Sequence, residues 1–74
     1  LIEVAIIRPG WREISYGSGE TWTEAKKLAL KEVNTRRSVK YWEVITCKDP
    51  STVNWKTACG YYAVPFDWAC AQGY

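Results

Sequence analysis

Only one stretch of this chain repeats its apolar residues at helical spacing, and the runs on either side of it have the alternation or the β-branched and aromatic content of strands. Trp22, Ala25, Leu28, Ala29 and Val33 form one stripe, while Lys26, Lys27 and Lys31 fall mainly on the solvent side. Thr21 and Glu24 stand at capping-box spacing, so a helix is predicted to start there, and Asn34 suits a left-handed stop. Upstream, Ile2, Val4 and Ile6 alternate with Glu3 and Ala5. Pro9-Gly10 then supplies the fixed φ and the positive φ of a type II turn, and Trp11 to Tyr16 returns as a second strand before Gly17-Ser18-Gly19. Downstream, Val39 to Lys48 and Trp55 to Val64 read as a second hairpin about Asp49-Pro50-Ser51. The order β-β-α-β-β predicts an α+β two-layer sandwich, a mostly antiparallel four-stranded sheet with one helix on one face. Residues 1–74 form a single domain.

A domain this small buries only about 60% of the surface of its unfolded chain, so a covalent staple is expected. Cys47 and Cys59, late in one predicted strand and early in its partner, form the natural cross-strand disulfide, worth roughly 2–3 kcal/mol in the chain-entropy view. Cys59 to Cys70 is the competing pair, pinning the tail to the sheet. Either leaves one thiol free or bridged to another chain. Clustered cysteines in a small domain point to an oxidising compartment, and a chain that opens at Leu1 without any Met reads as a processed, secreted product.

The absence of His removes Ser-His-Asp and Cys-His catalysis together with the commonest metal ligand, and three Cys without C-x2-C spacing argue against zinc. No catalytic residue, cofactor or metal is assigned, and an enzyme is not expected. Glu13, Glu43 and Asp67 are the carboxylates a small hydrolase would need to bring together. A formal charge of +2 is too weak to drive nucleic-acid binding, and the longest apolar run, Val4 to Ile7, falls far short of the roughly 20 residues of a membrane span.

Eleven aromatic residues, five of them Trp, are the outlying feature of the composition. Trp22 is placed in the core. Tyr41 and Trp42, and again Tyr61 and Tyr62, are strand neighbours whose side chains point to opposite faces. One of each pair then lines the sheet face that a single helix leaves uncovered, unless the tail folds over it. Tyr41, Trp42, Trp55, Tyr61 and Tyr62, beside the basic Arg36, Arg37 and Lys40, are the candidate surface-binding residues.

Gly17-Ser18-Gly19, Thr23-Glu24-Ala25, Ala29-Leu30, Trp42-Glu43-Val44-Ile45 and Cys59-Gly60-Tyr61-Tyr62-Ala63-Val64 together resemble a family of small secreted bacterial domains of unknown function, over residues 14–64. The resemblance implies secretion and a helix-on-sheet outline and assigns no activity. The expected role is a secreted, non-enzymatic effector, toxin-like or antimicrobial, that engages a cell-surface component through exposed aromatic and basic residues. The alternative is a protein-binding module, either a hydrolase inhibitor or one subunit of a disulfide-linked complex, with a covalent partner held through the odd Cys.

Overall fold

The computed structural model describes all 74 residues. Strand β1 (Ile2–Ile7) turns back into β2 (Ile14–Gly19), helix α1 (Trp22–Val33) follows, and a short 3-10 turn at Tyr41–Glu43 leads into β3 (Val44–Thr46). A second 3-10 turn at Pro50–Thr52 precedes β4 (Tyr61–Pro65), and the chain closes with α2 (Phe66–Ala71). The sheet order is β2-β1-β4-β3.

The first half follows its local signals. Gly10 has φ +85° and the Trp11 amide donates to the Arg8 carbonyl at 3.0 Å, the geometry of a type II turn with Pro9 leading. The return strand starts later than expected, pairing Ile7 with Ile14, and the glycine run lies inside it rather than after it. Gly17 is required there by close approach. A Cβ at that position would run into the Ala25 carbonyl and the Ala29 amide and lie 2.9 Å from the Leu28 Cβ. With Ala25 and Ala29 fully buried opposite it, small residues on both sides bring the helix backbone down onto β2.

At the start of α1 the Thr21 hydroxyl accepts from the Glu24 amide at 3.2 Å, as the capping pattern predicts, although the Glu24 carboxylate takes the Glu20 amide instead of closing the box on Thr21. Asn34 does not stop the helix in a left-handed conformation, since its φ is −72°. Its side-chain amide donates to the Leu30 and Val39 carbonyls and accepts from the Val39 amide, all at 2.9 Å, and so ties the helix end to the following segment. Two assignments within the stripe also change. Leu28 is half-exposed, whereas Lys26 is buried, with its ammonium donating at 2.8 Å to both the Val44 carbonyl and the Thr46 hydroxyl and lying 4.5 Å from the Tyr41 ring centroid. Burial without a carboxylate partner lowers its pKa from the ordinary lysine value.

The second hairpin does not form. β3 runs parallel to β4, pairing Val44 with Tyr61 and Thr46 with Ala63, so the sheet is mixed rather than mostly antiparallel. Asp49 opens a different turn. Its carboxylate accepts from the Ser51 amide at 3.3 Å and the Ser51 hydroxyl at 2.6 Å, starting a 3-10 turn that sends the chain away instead of reversing it. The Trp55 indole then anchors to the Pro50 carbonyl at 2.9 Å. Parallel neighbours need a crossover of about a dozen residues or more, and the segment between Thr46 and Tyr61 supplies it.

That crossover corrects two further expectations. The sheet face opposite α1 is not open: Ala5, Ile7, Cys47, Val64 and Ala69 form a core there, packed by Val53 and Trp55 from the crossover and by Phe66, Trp68 and Tyr74 from the folded-back tail. One core therefore lies on each side of the sheet, the other built from Val4, Ile6, Ala25, Ala29, Val33, Val39, Val44 and Ala63. The expected disulfide is also absent, and Cys47, Cys59 and Cys70 are all free. Cys47 follows the last pair of the β3–β4 ladder and Cys59 precedes the first, so they sit at opposite ends of a parallel ladder instead of facing across a hairpin. Cys70 lies on the outer side of α2, whose Ala69 faces the core.

Gly17→Ala is expected to lower the unfolding free energy by about 2–3 kcal/mol, the range for forcing atoms into a packed interface, with Ser18→Ala nearly neutral; urea denaturation of both checks this. Thiol labelling should separate the cysteines. Cys59 and Cys70 should react in the native protein, while Cys47, buried and with its thiol pKa raised first by burial and then by Asp49, should react only on unfolding.

Candidate functional site

The antiparallel pairing of β1 with β4 puts the end of β1 beside the start of β4, and α1 finishes above the same end of the sheet. Arg8, Trp11, Glu13, Arg36, Arg37 and Tyr61 meet there around a shallow, narrow cleft. Its apolar walls include Ile6, Ile7, Ile14 and Val33.

The polar groups of this cleft form a ladder. The Arg8 guanidinium lies 4.4 Å from the Trp11 ring centroid and 5.5 Å from that of Tyr61, and Arg37 lies 4.7 Å from Trp11. Trp11 thus interacts with two cations, each attracted to the negative face of the indole. Arg37 continues the ladder to Glu13, donating from Nε at 2.8 Å and from Nη2 at 2.7 Å in a bidentate pair. That hydrogen bond, reinforced by the charge of Arg37 and its neighbours, lowers the Glu13 pKa from its ordinary value, and Glu13 in turn raises that of Arg37. Arg36 reaches Glu32 only at 4.0 Å and is exposed, and Arg8 has no carboxylate partner. Ser15 lines the cleft too. Its residue is 1% exposed and its hydroxyl has no hydrogen-bond partner.

The surface-binding candidates divide into three groups. Arg36, Arg37 and Tyr61 belong to the cleft. Lys40, Tyr41 and Trp42 lie on and just before the 3-10 turn leading into β3, where Trp42 is 79% exposed and Ile45 51%. Trp55 and Tyr62 lie on the other side of the sheet, half-buried against the core opposite α1, where their rings pack edge to face at 5.0 Å and Trp68 tilts against Trp55 at 5.1 Å. The three carboxylates are engaged separately: Glu13 holds Arg37, Glu43 accepts from the Lys40 amide at 2.8 Å and Asp67 sits in the first turn of α2.

Arg8, Trp11 and Ser15 escaped the reading of the sequence. A signal for the first two was present in the turn itself, because positions i and i+3 of a β-turn approach within about 7 Å, and in Arg8-Pro9-Gly10-Trp11 those positions carry a cation and an indole. Ser15 had none, since its burial follows only from its pairing opposite Ile6 beneath α1.

The lowered Glu13 pKa fixes the sign of a pH effect. A carboxylate with a depressed folded-state pKa contributes stability that is full above its unfolded value near 4.5 and is lost as pH falls through the folded value. The advantage of the wild type over Glu13→Gln in urea unfolding is therefore expected above pH 4.5 and should shrink progressively below it. No helix is long and apolar enough to cross a membrane. Comparison with protein-family models, with curated proteins and with solved structures found no match, so the expected kinship with small secreted domains gains no support from them.

Proposed function

We propose that this protein is a non-enzymatic binding module that engages an anionic component of a cell surface, the effector role expected from its sequence. The observation that carries the reading is the concentration of aromatic and basic side chains at one end of the sheet. Arg8, Trp11, Arg36, Arg37 and Tyr61 surround the cleft, and the segment leading into β3 adds Lys40, Tyr41 and the exposed Trp42. An exposed indole beside cations suits the boundary of a charged surface, because the ring offers apolar area with a polar edge while the cations supply long-range attraction.

A protein-binding role is the second reading, favoured by the outer edge of β3. This short edge strand carries exposed Ile45 next to Trp42, an apolar patch beside unpaired backbone groups.

Co-sedimentation with vesicles distinguishes the two. Binding to vesicles rich in phosphatidylglycerol, absent with phosphatidylcholine alone and weakened about tenfold by Trp42→Ala at unchanged stability, is the expected result for the first reading. Absence of binding to anionic vesicles, cell-wall polymers and glycans would sink it. Concentration-dependent association with a protein partner, abolished by Ile45→Lys, would favour the second.

A further inference from the structure

The sheet has two edges, β2 and β3, and a charged side chain of α1 lies on each. On β3 the Cys47 amide donates to the Ala63 carbonyl of β4 at 2.8 Å. By alternation Ile45 also turns its backbone groups to β4, whereas those of Val44 and Thr46 turn outward. Both outward groups of Val44 are taken. Its amide donates to the Tyr41 carbonyl, and its carbonyl accepts from the buried Lys26 ammonium at 2.8 Å. On β2 the Tyr16 amide faces away from β1 and donates to the Glu32 carboxylate at 3.0 Å. Each charge suits its group, an anion on an edge amide and a cation on an edge carbonyl.

Their spacing explains why the two side chains part. At 3.6 residues per turn, Lys26 and Glu32 stand about 60° to either side of the buried stripe of Ala25, Ala29 and Val33. With that stripe seated on the sheet, one side chain is delivered to each flank. An open sheet edge is a template for a further strand, and a charged side chain held over it blunts that edge.

We infer that α1 closes both edges of the sheet against strand addition, Lys26 at β3 and Glu32 at β2, and that the strand they exclude is an edge of a second copy of this chain. Every molecule carries two such edges, and the six residues of β2 are long enough to build a ladder on a copy. On β3 only Thr46 keeps an outward amide and carbonyl. A protein partner at the Trp42 and Ile45 patch therefore meets side chains and does not extend the sheet. The closure does not rest on vesicle binding.

Sedimentation velocity of the full chain across about a hundredfold range of concentration, with amide hydrogen exchange followed by NMR on the same samples, tests it. The wild type should stay monomeric, and the double variant Lys26→Met/Glu32→Ala should self-associate with a dissociation constant lower by about tenfold or more. The outward Ser18 and Thr46 amides of that variant should exchange more slowly as concentration rises, the mark of an added strand. Lys26→Arg with Glu32→Gln keeps a donor and an acceptor and should behave as the wild type. Because Lys26 is buried, near-ultraviolet circular dichroism checks the fold, and the exposed Glu32→Ala alone reads the β2 edge through Ser18 if Lys26→Met does not fold. A folded Glu32→Ala and a folded double variant that both remain monomeric would overturn the closure. So would association that leaves Ser18 and Thr46 exchange unchanged, or a wild type that already pairs through them. Vesicle binding by the monomeric wild type is scored separately, so its absence leaves the closure standing and a failed closure leaves it standing.

Discussion

The contact on which this structure depends is the one between the backbone of α1 and the glycine of β2. Gly17 has no side chain to hold the helix away, and Ala25 and Ala29 present little more, so the two backbones meet almost directly. Such an approach leaves little room to slide, and the consequences spread along the helix axis. Near one end, Lys26 is brought over the edge of the sheet, where the Val44 carbonyl and Thr46 hydroxyl hold its ammonium in place of solvent. Near the other, Val33 and the arginines after it come down over Ser15, and the space between them is the cleft. The position of the candidate site is set by a packing contact several residues away from it.

The opposite face is organised differently. No long helix covers it; instead an irregular crossover and one short helix supply large rings, and Tyr16 from the outer strand joins them by meeting Phe66 edge-on at 4.8 Å. Aromatic residues bring much apolar area per residue, which suits a segment with little regular structure to bury. This accounts for much of the unusual aromatic content without any binding role. What is left for function after that accounting is a smaller set, led by Trp11 and Trp42.

The legible parts of the sequence were those fixed by neighbours in the chain. The Pro9-Gly10 turn, the Thr21 cap and the alternation of Val4 and Ile6 each depend on a few adjacent residues, and each was readable. Asp49-Pro50-Ser51 shows where that ends. The same three residues suit a hairpin turn or the start of a 3-10 turn, and the choice depends on where Trp55 and Tyr62 find packing partners. The disulfide expectation failed with the hairpin on which it was built. Half of the candidate site was likewise visible: Arg36, Arg37 and Tyr61 stood out by charge or aromatic character, but their union with Arg8, Trp11 and Ser15 required the pairing of β1 with both β2 and β4.

The strand order has a temporal meaning. β4 is an inner strand, yet it is the last strand in the chain, and it is the only neighbour β3 has. β1, β2 and α1 contact one another through short or moderate loops and are able to assemble early, whereas β3, once made, has nothing to pair with until residues 61–65 follow it. One late segment therefore joins the two halves of the sheet and contributes to both cores, Ala63 to one and Val64 to the other.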